Sequence, residues 1–169
     1  MEYLPSPTVS VIICAYTAER WDWLLDVIES LRGQTLAPKE VIVVIDHNEE
    51  LYERLAKTAD DITVARNTGP RGLSGARNTG VGLADSDVVA FLDDDAVAAP
   101  DWLERLMALY DDPEVLGVGG RVEPLWEAGR PVSLAKSSTG LSAAATGACH
   151  GWHPKFETSS VPTCPSGLM

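Results

Sequence analysis

The chain has 169 residues, of which 45% are hydrophobic, and 25 acidic against 13 basic residues give it a formal charge of -12. This length suffices for one domain with its own core, and the negative charge argues against binding to nucleic acid or to an anionic membrane surface. No apolar run approaches the roughly 18 residues of a membrane-spanning helix. The first residues lack the features of a signal peptide, and Cys14, Cys149 and Cys164 form no disulfide pattern. We therefore expect a cytoplasmic protein.

The charge is unevenly distributed along the chain. Residues 1–131 contain 24 of the 25 acids and 11 of the 13 bases, whereas the only charged residues after them are Lys136, Lys155 and Glu157. Residues 132–169 also contain 11 Ser or Thr and show no helical or strand period. Such a segment has little apolar surface to offset its chain entropy. We predict a folded region over residues 1–131 and a tail of low order over 132–169.

Strands and helices alternate in the folded region. Residues 9–15 form a β-branched run that is typical of a buried parallel strand. Trp21, Leu24, Leu25, Ile28 and Leu31 then lie on one face of a helix. The remaining predicted elements, in chain order, are a strand over 40–45, a helix over 49–59, a strand over 62–65, a helix over 74–84, a strand over 88–92, a helix from about 100 to 110 and a strand over 115–122.

This order predicts an α/β fold, with a mostly parallel sheet and helices on both faces. In such sheets ligands bind beyond the carboxyl ends of the strands. The candidate site residues are therefore those that directly follow strands: Tyr16, Asp46, the loop over 66–77, and Asp93, Asp94 and Asp95.

The three adjacent aspartates follow a buried apolar strand. Their carboxylates repel one another unless a cation neutralises them, and carboxylate oxygens are hard ligands that suit Mg²⁺ or Mn²⁺. A solvated acidic turn is the simpler alternative. The position at the ligand-binding edge favours a metal site.

The segment over 71–80 combines Arg71 and Arg77 with three glycines at a loop-to-helix junction. Backbone N–H groups, the helix dipole and the guanidinium groups of such a junction can bind phosphate. No Walker motif and no dinucleotide-binding glycine motif is present. Asp46 could accept hydrogen bonds from a base or ribose, or act as a helix N-cap. Tyr16 could cover a base with its ring, or simply end its strand.

Four ordered motifs over about residues 7–131 resemble the family 2 glycosyltransferases. They are VSVIICAYT at 9–17, EVIVVID at 40–46, GLSGARNTG at 72–80 and VAFLDDD at 89–95. The resemblance implies a GT-A fold, a nucleotide-diphosphate sugar donor such as a UDP- or GDP-sugar, and a divalent metal. Residues 119–122 (GGRV) resemble the family's strand between its donor and acceptor halves.

The resemblance also implies roles for single residues. Tyr16 and Asp46 would line the nucleoside pocket, and Arg71 and Arg77 would belong to the donor-binding loop. Of the three aspartates, Asp93 would face the ribose and donor sugar and share the metal with Asp95, and Asp94 would lie within the same nucleotide-sugar site.

The acceptor half of the family has no counterpart in this sequence. In the family a carboxylate base further along the chain assists attack of an acceptor hydroxyl with inversion, and only Glu157 follows Arg130. A shift of the reading frame by one nucleotide over residues 137–149 and 157–165 permits strings that resemble acceptor-side segments. We therefore interpret the tail as a frameshifted reading, and the chain as truncated and inactive in transfer.

Two other interpretations remain at this point. A phosphoacceptor signalling domain also places an acidic cluster at strand ends, but it needs a lysine after a late strand, and none of the four lysines has that context. A non-catalytic α/β nucleotide-binding fragment is the other.

Overall fold

The computed structural model describes residues 6–122 and the strand Leu141–Gly147. The strands are β1 (Val9–Ala15), β2 (Glu40–Ile45), β3 (Thr63–Arg66), β4 (Val88–Asp93), β5 (Gly117–Val122) and β6 (Leu141–Gly147). The helices are α1 (Trp21–Arg32), α2 (Glu49–Thr58), α3 (Leu73–Leu83) and α4 (Trp102–Met107), with 3₁₀ turns at Ala18–Arg20 and Ala108–Asp111.

The sheet has the strand order β3-β2-β1-β4-β6-β5. The strands β3, β2, β1 and β4 run parallel to one another. The strand β6 is antiparallel to both of its neighbours, β4 and β5. This arrangement confirms the predicted mostly parallel α/β fold.

Alternate residues of the central strands point to opposite faces, and each face has its own core. Val11, Ile13 and Val43 lie in a large cluster with the buried faces of α1, α2 and α4. Ile12 and Val44 face the other way and pack with Ala76 of α3. Helices therefore cover both faces of the sheet, as predicted. In the described ranges no helix is both long and apolar enough to cross a membrane.

Several element ends differ from the predictions by one to three residues. The strand β4 continues through Asp93, and β5 begins at Gly117 because a turn from Asp112 to Val115 precedes it. The last predicted helix changes to a 3₁₀ turn at Ala108.

Leu141–Gly147, within the segment for which we predict a tail of low order, forms β6. Its sequence, LSAAATG, has no apolar alternation, and its pairing with β4 and β5 depends on segments far away in the chain. The rest of the predicted tail lies outside the described residues, and the division of the chain at about residue 131 stays a prediction.

The helix α3 approaches the sheet more closely than a side chain would allow. A Cβ atom at Gly80 would lie 2.6 Å from Cγ2 of the buried Ile12, whereas a Cβ atom at Gly82 would meet nothing within 4 Å. Gly80 is therefore required by packing, and Gly82 is not.

We predict that Gly80→Ala destabilises the fold by about 1 to 3 kcal/mol, because overpacking forces a buried side chain or a helix to move. Gly82→Ala is the matched control on the same helix. It should stabilise the fold by about 0.5 to 1 kcal/mol, since alanine loses less chain entropy than glycine in a helix. Urea unfolding measures both variants, and equal effects at the two positions would contradict this packing.

Candidate functional site

The strand register brings the predicted site residues to one edge of the sheet. β1 lies between β2 and β4, with Ala15 opposite Ile45 and Cys14 opposite Asp93. Asp46 directly follows β2, and its N–H donates to the Ala15 carbonyl at 2.8 Å. Asp46 and Asp93 therefore lie at the same carboxyl edge, as predicted. Tyr16, which follows β1 between them, is 57% exposed.

The buried Asp46 carboxylate binds three protein donors. Its Oδ1 accepts from Asn67 Nδ2 at 2.6 Å and contacts His47 Nδ1 at 2.8 Å, and its Oδ2 accepts from the Gly72 N–H at 2.8 Å. The alternative role as an N-cap of the following helix is wrong, because Asn48 caps α2 by accepting from the Leu51 N–H. Asp46 instead joins the ends of β2 and β3 to the start of α3.

The same contacts control the charge of Asp46. Burial acts to raise its pKa, but the hydrogen bonds from Asn67, His47 and the Gly72 N–H outweigh burial and lower it. The carboxylate is thus ionised at neutral pH. It forms a fixed negative charge at the base of the site.

Asn67, which the sequence analysis did not single out, organises the loop before α3. Its Nδ2 also donates to the Pro70 carbonyl at 2.9 Å, and its Oδ1 accepts from the Gly69 N–H at 2.8 Å and from Thr79 Oγ1 at 2.9 Å. The available signal was its position directly after β3, at the same edge as Asp46.

Two arginines of this loop and helix reach opposite ends of the site. Arg71 Nη2 donates to the His47 carbonyl at 3.4 Å, beside the end of β2. Arg77 Nη2 lies 3.3 Å from Asp93 Oδ1, beside the end of β4, and its guanidinium lies 5.2 Å from the centre of the Phe91 ring. The start of α3 therefore spans the gap between Asp46 and Asp93.

The three adjacent aspartates have different environments. The side chains of Asp93 and Asp95 are 66% and 44% exposed, whereas that of Asp94 is 7% exposed. Arg20, a residue that the sequence analysis missed, binds Asp94 Oδ1 at 2.9 Å and Asp95 Oδ2 at 3.2 Å. Burial raises the pKa of Asp94, and the hydrogen bond from Arg20 opposes that shift.

Asp94 is predicted to belong to the nucleotide-sugar site, but its side chain is buried. Its Oδ2 is buried without a hydrogen-bond partner in the described part of the chain, so this carboxylate faces the protein in the structure. Asp93 and Asp95 present their oxygens at the surface. The roles assigned to all three aspartates stay predictions.

The exposed side chains of Asp93 and Asp95 are chemically suited to a divalent cation. Over residues 6–122, no cluster of three His, Cys, Asp or Glu side chains is arranged to hold a metal by itself. Asp93 and Asp95 nonetheless offer hard carboxylate oxygens at an exposed edge, which is the chemistry of a site that a metal shares with substrate phosphates.

Cys14 lies in β1 close to this edge. Burial raises the pKa of its thiol to about 12, although Arg77 partly opposes the shift. The thiol therefore stays protonated at neutral pH, and Cys14 is not an activated nucleophile.

Comparison with known proteins finds a matching family and several relatives. The model of the family described as Glycosyl transferase family 2 matches residues 10–136. A glucosyl-dolichyl phosphate glucuronosyltransferase of Haloferax volcanii is 41% identical over 127 residues, which are 73% of this chain and 41% of that protein. A pre-mycofactocin glycosyltransferase of Mycobacterium tuberculosis is 40% identical over 73 residues, which are 43% of this chain and 16% of that protein.

A solved structure is similar as well. It is a mannosyltransferase from Pyrobaculum calidifontis in complex with GDP-Man and Mn²⁺, with a TM-score of 0.56 and 26% identity. The match covers 67% of this chain and 35% of that one. The chain thus spans about two fifths of the length of the first curated relative, and a smaller part of the others named here.

We predict that Asn67→Ala destabilises the fold by about 1 to 3 kcal/mol, because it removes one donor from Asp46 and from the Pro70 carbonyl, and the acceptor of the Gly69 N–H. Asn78→Ala, the same substitution at an exposed position of α3, is the control and should lower stability by less than about 0.5 kcal/mol. Thermal unfolding of the two variants tests this. Equal melting temperatures for both would show that the Asn67 network does not stabilise the edge.

Proposed function

Because the chain belongs to glycosyl transferase family 2, we propose that it is the donor-binding part of an enzyme that transfers a sugar from a UDP- or GDP-sugar to a hydroxyl acceptor. The assignment to this family removes the phosphoacceptor signalling alternative. The donor proposal is supported by the structural neighbour, which was solved with GDP-Man and Mn²⁺.

One observation carries the proposal. A fixed carboxylate (Asp46), two guanidinium groups (Arg71 and Arg77) and two exposed carboxylates (Asp93 and Asp95) converge on the carboxyl edge of the sheet. A nucleoside diphosphate needs polar groups for its base and ribose, cations for its phosphates, and a divalent metal if carboxylates lie beside those phosphates. This edge offers each of these.

We assign roles accordingly. Tyr16 and Asp46 line the nucleoside pocket, and Arg71 and Arg77 approach the diphosphate from the loop and the first turns of α3. Asp93 lies next to the ribose and donor sugar, within reach of the metal. Asp94 belongs to the same nucleotide-sugar site, and its contact with Arg20 holds it beside Asp93 and Asp95.

Asp95, together with Asp93, would hold Mg²⁺ or Mn²⁺. When bound, such a cation stabilises the negative charge that develops on the departing nucleoside diphosphate. In the chain itself, Arg20 and Arg77 offset part of the mutual repulsion of the three carboxylates, because each lies within 3.3 Å of at least one of them.

Transfer with inversion also requires an acceptor pocket and a catalytic base, and we propose that the donor-binding residues supply neither. We propose that residues 1–131 are the nucleotide-sugar-binding half, and that residues 132–169 do not supply the acceptor pocket or the catalytic base. The out-of-frame origin of that segment is part of this proposal, and sequencing the coding DNA around the codon for Val132 tests it.

We predict that calorimetry shows UDP or GDP binding to the 169-residue chain with Mn²⁺, and little binding with EDTA. Asp95→Ala should weaken the Mn²⁺-dependent binding at least ~10-fold, about 1.4 kcal/mol, because it removes a proposed metal ligand. Asp60→Ala is the matched control. Asp60 is exposed and precedes β3, at the opposite edge of the sheet, so its loss should leave affinity unchanged. Equal binding with EDTA present would overturn the proposed metal dependence.

We further predict negligible sugar transfer by the 169-residue chain, with at most slow donor hydrolysis. Loss of a general base alone typically lowers a rate by about 10² to 10⁴, and loss of acceptor positioning lowers it further. Product analysis with a UDP- or GDP-sugar measures this, with the chain extended in the shifted frame as the positive control. Robust transfer by the 169-residue chain would place the base within these residues.

A further inference from the structure

Arg20 stands at a position where a helix favours other residue types. It is the N-cap of α1, and its side chain makes no capping hydrogen bond. Serine, threonine, aspartate and asparagine are preferred at an N-cap, and a cation is disfavoured at a helix N-terminus because the helix dipole is positive there. The requirements of α1 therefore do not explain an arginine at this position.

The side chain of Arg20 is directed at the end of β4. Its Nη1 donates to Asp94 Oδ1 at 2.9 Å and lies 3.2 Å from Asp95 Oδ2, so one nitrogen bridges two adjacent carboxylates. The Arg20 guanidinium also lies 5.8 Å from the centre of the Tyr16 ring. Arg20 is thus paired with Asp95, the residue to which we assigned the metal.

The two contacts of Arg20 Nη1 differ in their surroundings. The side chain of Asp94 is 7% exposed and receives the shorter bond, whereas that of Asp95 is 44% exposed. Exposed ion pairs contribute little to stability because water solvates both partners, but the loss of one partner of a buried pair is costly. The contact with Asp95 is therefore the one that another cation can displace.

The bridging arrangement also leaves one buried oxygen unused. Asp94 Oδ2 has no hydrogen-bond partner among the described residues. A guanidinium can bind both oxygens of one carboxylate through two parallel N–H bonds. Once Asp95 is released, this oxygen of Asp94 is an acceptor within the protein for the freed N–H groups of Arg20.

We propose that Arg20 is a positioning residue, which acts as the counter-ion of Asp95 in the metal-free chain and yields this carboxylate to the divalent cation. The inference rests on the proposed function, and it adds to the metal site an exchange of one cation for another. Arg20 keeps the carboxylates together before the metal binds. It also lowers the affinity for the metal alone, because the metal has to displace the guanidinium.

The double variant Arg20→Gln/Asp94→Asn separates this exchange from a change in net charge. It removes one positive and one negative charge, so the net charge of the edge is unchanged. It also leaves no buried carboxylate without its partner, so the fold should persist. Titration with Mn²⁺ alone, followed by the EPR signal of free Mn²⁺, should show about two- to fivefold tighter binding than by the wild type, the effect of one exposed ion pair.

Arg32→Gln is the matched control for this titration. Arg32 is the last residue of α1, about 18 Å further along the helix axis, and it is paired with Glu29 and Asp61. Its loss should leave the affinity for Mn²⁺ unchanged. A merely structural role of Arg20 predicts weaker binding by the double variant, so unchanged or weaker binding would overturn the inference.

NMR of the Arg20 side chain follows the exchange in the wild type. Addition of Mg²⁺, which is diamagnetic, should shift the Nε–H signal of Arg20 and leave that of Arg32 in place. The two signals are assigned by their absence from the double variant and from Arg32→Gln. An Arg20 signal that does not respond to saturating Mg²⁺ would overturn the inference.

Failure of the proposed function gives a different result. In that case the wild type binds neither the divalent cations nor UDP or GDP, and the inference about Arg20 falls with it. If the wild type binds UDP or GDP with Mn²⁺ but the double variant does not bind Mn²⁺ more tightly, this inference alone is overturned.

Discussion

The site depends on a single buried carboxylate. Asp46 joins the end of β2 to the loop after β3, through Asn67, and to the start of α3, through the Gly72 N–H. Because burial of a charge without donors is costly, the loop must approach closely for Asp46 to remain ionised. A Cβ atom at Gly75 would lie only 1.8 Å from the Pro70 carbonyl oxygen, which shows how tightly the loop folds against α3. The positions of Arg71 in this loop and of Arg77 in α3 follow from this approach.

At the other end of the site, the fold places three neighbouring aspartates in different environments. Three consecutive carboxylates stand at the end of β4, and the fold buries the middle one against Arg20 while it leaves its neighbours exposed. Only Asp93 belongs to β4, whereas Asp94 and Asp95 lie in the turn in which the Ala96 N–H donates to the Asp93 carbonyl at 3.2 Å, and this turn directs Asp94 toward Arg20. The outer two carboxylates are thereby available to a cation. In our account the cation offsets the repulsion between these carboxylates and the phosphates of a donor nucleotide.

Much of the fold was predictable from the sequence, because β1, β2 and β4 are mostly apolar runs, and Tyr16, Asp46 and Asp93 stand at their carboxyl ends. Parallel topology then brings Asp46 and Asp93 to one edge. The partners Arg20 and Asn67 were not predictable, since they lie 74 and 21 residues from the aspartates that they bind and neither belongs to a quoted motif. The strand β6 was missed because its residues show no alternation and its pairing is long-range.

The central claim is that a nucleoside diphosphate and a divalent cation bind between Asp46 and Asp95 at the carboxyl edge of the sheet. The most direct measurement is anomalous diffraction at the manganese edge from crystals of the chain grown with Mn²⁺ and UDP or GDP. Our account predicts a manganese peak in contact with an Asp95 oxygen and with the nucleotide phosphates, and the base beside Asp46 and Tyr16. A peak remote from Asp93 and Asp95, or a nucleotide bound away from this edge, would contradict it.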